Sequence, residues 1–334
     1  MASERIDVIA TTISGSISDW RKVKRVVPLF NERGREDVFM HETHSHQEAR
    51  HETRSRIDSG TRIIISAGGS GTFNAVLEGC LDSGVGLSEL TLGFLRKGSA
   101  DLIGKALGMP DEITRAVDVF AECLESNRTV PCDVIAAAGG SPTDGVRHFV
   151  GYGGAEIFGR IPHYTENRFI KYYKGVLSQL FGDMGPFFVG ASLSMFERTA
   201  RRIGRGKLHW DVTVDGRLRA EGPFQAMIIV NGDLGPNLGF AKAVPLGSGD
   251  FHLFALRDLG LLCLPGQFRH AWDGSIVEQV QRYGFKHFRV TETLTLEPHM
   301  DRPFPINVDG STMRCSRRAG FRIVDQIRLL SARS

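Results

Sequence analysis

The sequence predicts two domains in series: an α/β domain with an open parallel, Rossmann-like sheet, followed by a β-sandwich domain. Strand-like apolar runs alternate with helical patterns from Arg5 to about Val130. Beyond Pro131 the pattern changes to strands joined by hairpin turns. With 334 residues, of which 41% are hydrophobic, the chain is long enough to bury two cores of ordinary size.

The first half alternates strands and helices, which is typical of a parallel sheet covered by helices. Apolar runs predict strands at residues 7–10, 38–40, 63–66 and 90–94. Periodic segments predict the helices that follow them, at residues 20–27, 46–58, 72–81 and 100–107. Pro28 is expected to end the first helix, because proline lacks the N–H that a helix interior needs. The strand-to-helix loops then share one edge of the sheet, where open α/β folds bind ligands.

The second half contains short alternating segments, with Asp215-Gly216 and Asp309-Gly310 as hairpin turn pairs. Strands are predicted at residues 208–214, 224–230, 251–256, 288–296 and 306–308. Two inward-facing apolar surfaces of this kind pack together in a β-sandwich.

The change of pattern sets the expected domain boundaries. The α/β domain is expected at 1–129 and the β-rich domain at 130–318, with a helical insertion near 165–181. The tail, 319–334, is expected to contain a final strand that returns to the first domain.

Composition narrows the class of function. The formal net charge of +3 at pH 7 is too small to indicate a nucleic-acid-binding protein. No apolar run approaches the ~20 residues of a membrane-spanning helix, and the segment from Met1 to Arg5 lacks the apolar core of a signal peptide. The five cysteines are scattered, which favours neither a disulfide framework nor a zinc site. A cytoplasmic protein is expected, with any membrane contact peripheral.

A glycine-rich segment is the strongest local signal. The apolar run at 63–65 leads through residues 68–72 into a helical pattern. The first N–H groups of a helix have no acceptor within it, so a glycine-rich turn before a helix can bind phosphate. The hydroxyl of Ser70 or Thr72 is expected to cap the first turn. A tight turn without any ligand explains this segment alone equally well.

Several segments then form an ordered series. Residues 42–49 read Glu-Thr-His-Ser-His-Gln-Glu-Ala, residues 68–72 read Gly-Gly-Ser-Gly-Thr, and residues 98–101 read Gly-Ser-Ala-Asp. Later segments, at 151–153, 231–232 and 308–310, read Gly-Tyr-Gly, Asn-Gly and Val-Asp-Gly. In this order and spacing they resemble the diacylglycerol kinase and sphingosine kinase family of lipid kinases, which shares its fold with NAD kinases. The resemblance covers nearly the whole chain.

The chain departs from that family where the motifs carry acidic residues. Serine or an apolar residue stands at five such positions: Ser70, Ala75, Leu102, Ser248 and Ser311. In phosphoryl transfer, carboxylates hold the divalent metal or accept the proton of the attacking hydroxyl. A serine hydroxyl stays neutral near pH 7, and the loss of a general base alone lowers the rate by roughly 10²- to 10⁴-fold.

The resemblance implies an ATP-dependent kinase that phosphorylates a lipid hydroxyl, of the diacylglycerol or sphingosine type, in a cleft between the domains. It implies that the nucleotide is held by the two loops and two further side chains: Thr43, Gly68, Gly69, Ser70, Gly71, Thr72, Asn74, Lys97, Gly98 and Ser99. Asp101 and Asp309 remain as candidates for catalysis and for metal coordination, and the missing acids argue against tight Mg²⁺ binding. Arg96 and Lys97 either place charge beside a bound triphosphate or are solvated loop residues.

Two other functions stay open. A binding protein would keep the nucleotide or lipid site without the chemistry, and an NAD kinase-like enzyme would use the same loops for a dinucleotide acceptor. The expected partners are a nucleotide, a lipid substrate or membrane surface, and, as a further option, a second copy of the chain as a homodimer.

The first half also contains four histidines close together: His41, His44, His46 and His51. Their spacing lacks the i, i+4 pair of a helical zinc site, and no cysteine pattern accompanies them. They are expected to be polar residues around the start of a helix.

Overall fold

The computed structural model describes residues 4–11, 23–96, 102–110, 112–165, 207–233, 239–242 and 244–333. The chain divides into two compact units. The first is Met1–Val134 with Asp325–Ser334, and the second is Ile135–Val324.

The first unit is a parallel sheet accompanied by helices. Its strands begin with β1 (Ile6–Thr11), β2 (Val38–Thr43), β3 (Ile63–Gly68) and β4 (Thr91–Arg96). The described helices are α1 (Val26–Asn31), α2 (His46–Asp58), α3 (Ser70–Asp82), α4 (Leu102–Ala106) and α5 (Ile113–Glu125). The strand order is β2-β1-β3-β4, and each neighbouring pair is parallel. β1 and β3 are buried along their whole length, which explains why most of their residues are apolar.

The end of the first helix differs from the prediction. α2 begins and ends where expected, but the predicted stop at Pro28 is wrong, because α1 contains Pro28 as its third residue. In the first turn of a helix the N–H groups have no intrahelical acceptor, so a proline there removes no helix hydrogen bond.

The second unit is an antiparallel β structure. Its strands are β5 (Thr129–Gly139, continuing from the first unit), β6 (Val146–Phe149), β7 (Tyr152–Glu156), β8 (His209–Val214), β9 (Arg217–Val230), β10 (Phe251–Arg257), β11 (Phe285–Val290), β12 (Leu294–Pro298), β13 (Phe304–Val308), β14 (Ser311–Cys315) and β15 (Ala319–Leu330). The described helices are α6 (Ile157–Thr165), α7 (Leu264–Asp273) and α8 (Val280–Tyr283). The predicted insertion at 165–181 lies outside the described residues beyond Thr165.

Two antiparallel strand sets share β9. One set has the order β14-β13-β7-β9-β10-β11, and the other has the order β9-β8-β12-β15. The first half of β9 pairs with β8, and its second half pairs with β7 and β10.

Their inward side chains form one core. Trp210, Val212 and Val214 of β8 are buried at alternate positions, as a sandwich strand requires. The Trp210 ring meets Phe304 of β13 edge-on, with ring centroids 5.1 Å apart. The predicted fold class, a parallel α/β domain followed by an antiparallel β sandwich, is confirmed.

The predicted strand at 288–296 is wrong, because β11 ends at Val290 and β12 begins at Leu294. The carboxylate of Asp215 accepts the N–H groups of Thr291, Glu292 and Thr293, which lie between these strands. These N–H groups are therefore satisfied outside a strand ladder. The predicted hairpin turn is confirmed, because Asp215 and Gly216 both have positive φ, 49° and 73°.

The last strand contributes to both units. Residues 319–321 of β15 pair with β12 in the second unit. In the first unit, Arg328 and Leu329 pair in parallel with Thr91 and Leu92 at the start of β4. Within the described ranges, no helix has the length and apolar character needed to span a bilayer.

Candidate functional site

The glycine-rich segment joins β3 to α3 at an open helix N-terminus. β3 ends at Gly68, and the N-cap of α3 is Gly69, whose backbone is extended and which supplies no side-chain acceptor. The predicted capping by Ser70 or Thr72 is therefore wrong. By contrast, Ser45 caps α2 and Glu112 caps α5 with their side chains. The start of α3 thus leaves its first N–H groups without a capping side chain, as an anion site requires.

The strand pairing places the loops at one edge of the first unit. Gly68 is aligned with Arg96 across β3 and β4, and Thr11 with Thr43 across β1 and β2. Because these strands are parallel, the segments that follow them start at the same edge of the sheet. The second predicted loop, with Lys97, Gly98, Ser99 and Asp101, lies outside the described residues.

Three buried threonines lie beneath the first loop. The hydroxyls of Thr11 and Thr72 are hydrogen-bonded to each other at 2.7 Å, and both residues are fully buried. The Thr43 hydroxyl donates to the carbonyl of Ala10 at 3.1 Å. These contacts join the ends of β1 and β2 and the first turn of α3, so they hold the loop in position. Asn74, another predicted nucleotide residue, lies in the second turn of α3 and is partly exposed.

Two glycines of the loop lie against neighbouring side chains. A Cβ on Gly68 would lie 2.3 Å from Oγ1 of Thr72, and a Cβ on Gly71 would lie 2.8 Å from Cε1 of His46. Thr11 and His46 are therefore neighbours of the loop that were not among the predicted nucleotide residues. The position of Thr11 at the carboxyl end of β1 is the signal that would have identified it.

The start of α2 is built by a reciprocal pair of side-chain contacts. The Ser45 hydroxyl accepts the N–H of Glu48 at 3.0 Å, and the Glu48 carboxylate accepts the N–H of His44 at 2.6 Å. These two contacts determine how the chain leaves Thr43.

One residue of the histidine-rich segment contacts two carboxylates. His41 lies between the carboxylates of Asp7 and Glu52, at 2.5 and 3.1 Å. Among the residues whose positions are described, no group of three or more potential ligands is placed to hold a metal ion.

In the second unit, three predicted landmarks converge on one loop. The Asp309 carboxylate accepts the N–H groups of Val150, Gly151 and Tyr152, at 3.0, 3.2 and 2.7 Å. The Asn231 side chain donates to the carbonyl of Val150 at 2.8 Å. Residues separated by more than 150 positions thus determine the conformation of the 150–152 loop.

Asp309 is held in an unusual environment. It is 1% exposed and has φ of 43°, followed by Gly310 with φ of 83° in the predicted hairpin turn. Burial raises the pKa of Asp309 to about 6, although the three N–H contacts act in the opposite direction. Ser311, where the family has an acid, is the first residue of β14 and is partly exposed.

Ser248, another position where the family has an acid, belongs to a local cluster in the second unit. Its hydroxyl contacts the carboxylate of Asp250 and the carbonyl of Pro245. Arg289 pairs with the same carboxylate. Burial opposes ionisation of Asp250, but the contacts with Ser248 and Arg289 hold its pKa below the ordinary value.

One protein-family model matches the part of the chain that contains the glycine-rich loop. Residues 5–140 match the family model of the diacylglycerol kinase catalytic domain. No curated protein sequence matches the chain significantly.

Solved structures extend the likeness over the whole fold. A crystal structure of a diacylglycerol kinase from Bacillus anthracis str. Sterne has a TM-score of 0.65 at 15% identity, covering 100% of this chain and 98% of its own. Another structure from that organism, of a protein proposed to be a diacylglycerol kinase, has a TM-score of 0.69 at 17% identity with the same coverage. At these identities the structures establish the fold alone. The match of residues 5–140 confirms the predicted resemblance to the diacylglycerol kinase catalytic domain.

Proposed function

We propose that the chain binds ATP through the loop between β3 and α3 and transfers its terminal phosphate to a lipid hydroxyl. The observation that carries this proposal is the uncapped N-terminus of α3, where Gly69 provides no side-chain acceptor. Gly69, Ser70 and Gly71 are partly exposed, whereas the threonines beneath them are buried. Within the first turn the N–H of Thr72 donates to the carbonyl of Gly69 at 3.0 Å, so the N–H groups of Ser70 and Gly71 are the ones proposed to meet a ligand.

The chemistry of this helix start suits a polyphosphate. The first turn of a helix combines free N–H donors with the positive end of the helix dipole, and both favour an anion. Glycine at positions 69 and 71, both partly exposed, allows phosphate oxygens to approach the backbone. The first turn of α3 contains no acidic side chain that would repel them.

We assign the general-base role to Asp309. In the transfer, the acceptor oxygen forms a bond to the terminal phosphorus, the bond from that phosphorus to ADP breaks, and the hydroxyl proton passes to the carboxylate. A carboxyl pKa of about 6 suits proton acceptance near neutral pH. The three backbone donors around Asp309 determine the orientation of the carboxylate.

The described residues do not fit a family-like Mg²⁺ site. Ser70, Ala75, Ser248 and Ser311 offer no carboxylate where the family has an acid. No step in this proposal therefore depends on a metal ion held by these side chains.

The uncapped start of α3 is also compatible with a second candidate, a protein that binds nucleotide but transfers phosphate slowly or not at all. Its support is the serine at position 70, within the loop itself, and at position 311, beside Asp309. Hydroxyls bind Mg²⁺ weakly and are poor bases at neutral pH, so they retain binding better than catalysis.

A transfer assay separates the two candidates. ATP labelled at the terminal phosphate is incubated with the full chain and vesicles containing diacylglycerol, sphingosine or no acceptor, with and without Mg²⁺, and NAD serves as a further acceptor. Formation of labelled lipid by the wild type, and its loss in Asp309→Asn, supports the kinase. ATP binding without labelled product supports the binding protein, and labelled NADP would support the NAD kinase-like alternative. Absence of ATP binding would refute the first two candidates.

A further inference from the structure

A cavity lies at the edge of the first unit's sheet opposite the glycine-rich loop. Its volume is about 100 Å³, and its lining includes the first residues of β3 and β4, Ile63 and Thr91. A single ordered water needs only about 10–15 Å³ by this type of measure, so a small molecule can be accommodated. Two arginines, Arg62 and Arg328, also line it.

Both guanidinium groups retain hydrogen-bonding capacity. Arg62 donates through one nitrogen, Nη1, to the carbonyls of Ile57 and Thr61, at 3.2 and 3.0 Å. Arg328 donates through Nη2 to the carbonyl of Glu89 at 3.3 Å. A guanidinium has five N–H donors, so most remain available for a ligand. Within the part of the chain that the structure describes, both groups donate to backbone carbonyls, and neither pairs with a carboxylate.

The remaining wall does not oppose an anion strongly. The cavity touches the end of α5, but backbone N–H groups already cover the last carbonyls of that helix. The backbone N–H of Arg128 donates to the carbonyl of Cys123 at 2.8 Å, and the backbone N–H of Asn127 donates to the carbonyl of Leu124 at 3.4 Å. The thiol of Cys123 is engaged with the carbonyl of Ser331 at 3.1 Å. Asn127 and Thr129 add polar side chains to the lining.

The charge of the lining also limits the size of the guest. Glu4 is the acidic residue on the lining, and its charge opposes those of Arg62 and Arg328. Two guanidinium forks and one carboxylate suit a compact ion of low charge, because planar forks match the oxygen spacing of phosphate and carboxylate. A bulky polyphosphate exceeds the volume and meets the charge of Glu4.

We propose that this cavity is a binding site for a small oxyanion, phosphate or a simple carboxylate, held by Arg62 and Arg328. The site is distinct from the glycine-rich loop. β3 runs from Ile63 at the cavity to Gly68 at the loop, five residue steps of about 3.3 Å each. The two sites therefore lie at opposite ends of the same strand.

Calorimetric titration with inorganic phosphate and, separately, with acetate tests the site at constant ionic strength in sodium chloride. Phosphate can also bind the glycine-rich loop, so the titrations use the full chain, and only the binding that Arg62→Gln or Arg328→Gln weakens is assigned to the cavity. Arg62→Gln and Arg328→Gln are each expected to weaken binding about tenfold or more, as the loss of charge-assisted hydrogen bonds implies.

Arg115→Gln is the matched control, since Arg115 is exposed on the first turn of α5, at the other end of that helix. It is expected to leave binding unchanged. Arg328 is exposed, so its replacement is expected to leave the fold intact, which thermal unfolding of each variant verifies. Binding of either anion that only the two lining variants weaken supports the proposal, and the anion that binds identifies its class. Failure of both anions to bind overturns it, as does equal binding by Arg328→Gln and Arg115→Gln. Neither outcome depends on whether ATP binds the loop.

Discussion

Replacing Gly68 with alanine should damage the loop through a single contact. The backbone of Gly68 is outside the left-handed region, so alanine meets no backbone strain there. Its Cβ would instead lie 2.3 Å from Oγ1 and 2.6 Å from Cβ of Thr72, a buried residue bonded to Thr11. Overpacking costs about 1–3 kcal/mol and a lost buried hydrogen bond about 1 kcal/mol, so a loss of about 2–4 kcal/mol is expected.

Urea unfolding at neutral pH measures this loss, with Gly86→Ala as the control. Gly86 has φ of −58°, and a Cβ there would meet its nearest atom, Oε1 of Glu89, at an ordinary 3.4 Å. That change should alter the free energy of unfolding by less than about 1 kcal/mol. Because displacement of Thr72 also moves the start of α3, ATP affinity should fall in Gly68→Ala alone.

A double-mutant cycle tests the stated cause. In a chain carrying Thr72→Gly, the side chain that Gly68→Ala strikes is gone, so the second change should cost less than about 1 kcal/mol. The reasoning is refuted if Gly68→Ala is as mild as Gly86→Ala, or if its cost is the same with and without Thr72.

Three other predictions concern single contacts. Burial opposes ionisation of Asp7, but hydrogen bonds, the largest from His41, hold its pKa well below the ordinary 3.8. Its contribution to stability is therefore present above pH 3.8 and lost as the pH falls below it. In urea unfolding the stability gap between wild type and Asp7→Asn should narrow at acidic pH, and a constant gap would contradict this. The raised pKa of Asp309 makes the folded state lose stability as pH rises from 3.8 to about 6. Asp309→Asn should remove that decline, and a pH profile identical to wild type would show the assignment to be mistaken. Gly79→Ala should lower the melting temperature, because its Cβ would lie 2.5 Å from the carbonyl oxygen of Arg50, and overpacking of about 1–3 kcal/mol exceeds the helix-propensity gain of about 1 kcal/mol. An unchanged or higher melting temperature would mean that α2, which contains Arg50, and α3, which contains Gly79, move apart at little cost in free energy.

The elements of the first unit were predictable because their signals are local. The 63–66 run is fully buried in β3, so its apolar residues had no polar alternation to obscure them. The helix at His46–Asp58 begins at the N-cap Ser45, whose contact with Glu48 involves only neighbouring residues. Two predicted boundaries were wrong. The helix does not end at Pro28, because Pro28 lies in its first turn. The strand predicted at 288–296 is interrupted where backbone N–H groups bond the carboxylate of the remote Asp215.

The candidate site was predictable only in part. Glycines at 68, 69 and 71 identify a strand-to-helix turn by themselves. The hydrogen bond of Thr11 to Thr72 joins residues 61 positions apart, and no local pattern indicates it. The same holds for the cavity lined by Arg62 and Arg328, because a solvated arginine and a lining arginine have the same sequence signature.

The sequence by itself determined the order of strands and helices, the change to antiparallel strands, and the glycine-rich turn, because periodicity and backbone freedom are properties of neighbouring residues. Only the tertiary structure decided that the helix after that turn begins without a cap and that Asp309 is enclosed by the N–H groups of a distant loop. Burial and hydrogen bonding depend on which remote segments come together. Both change the pKa of a carboxyl group, so the sequence identifies Asp309 but does not predict its pKa.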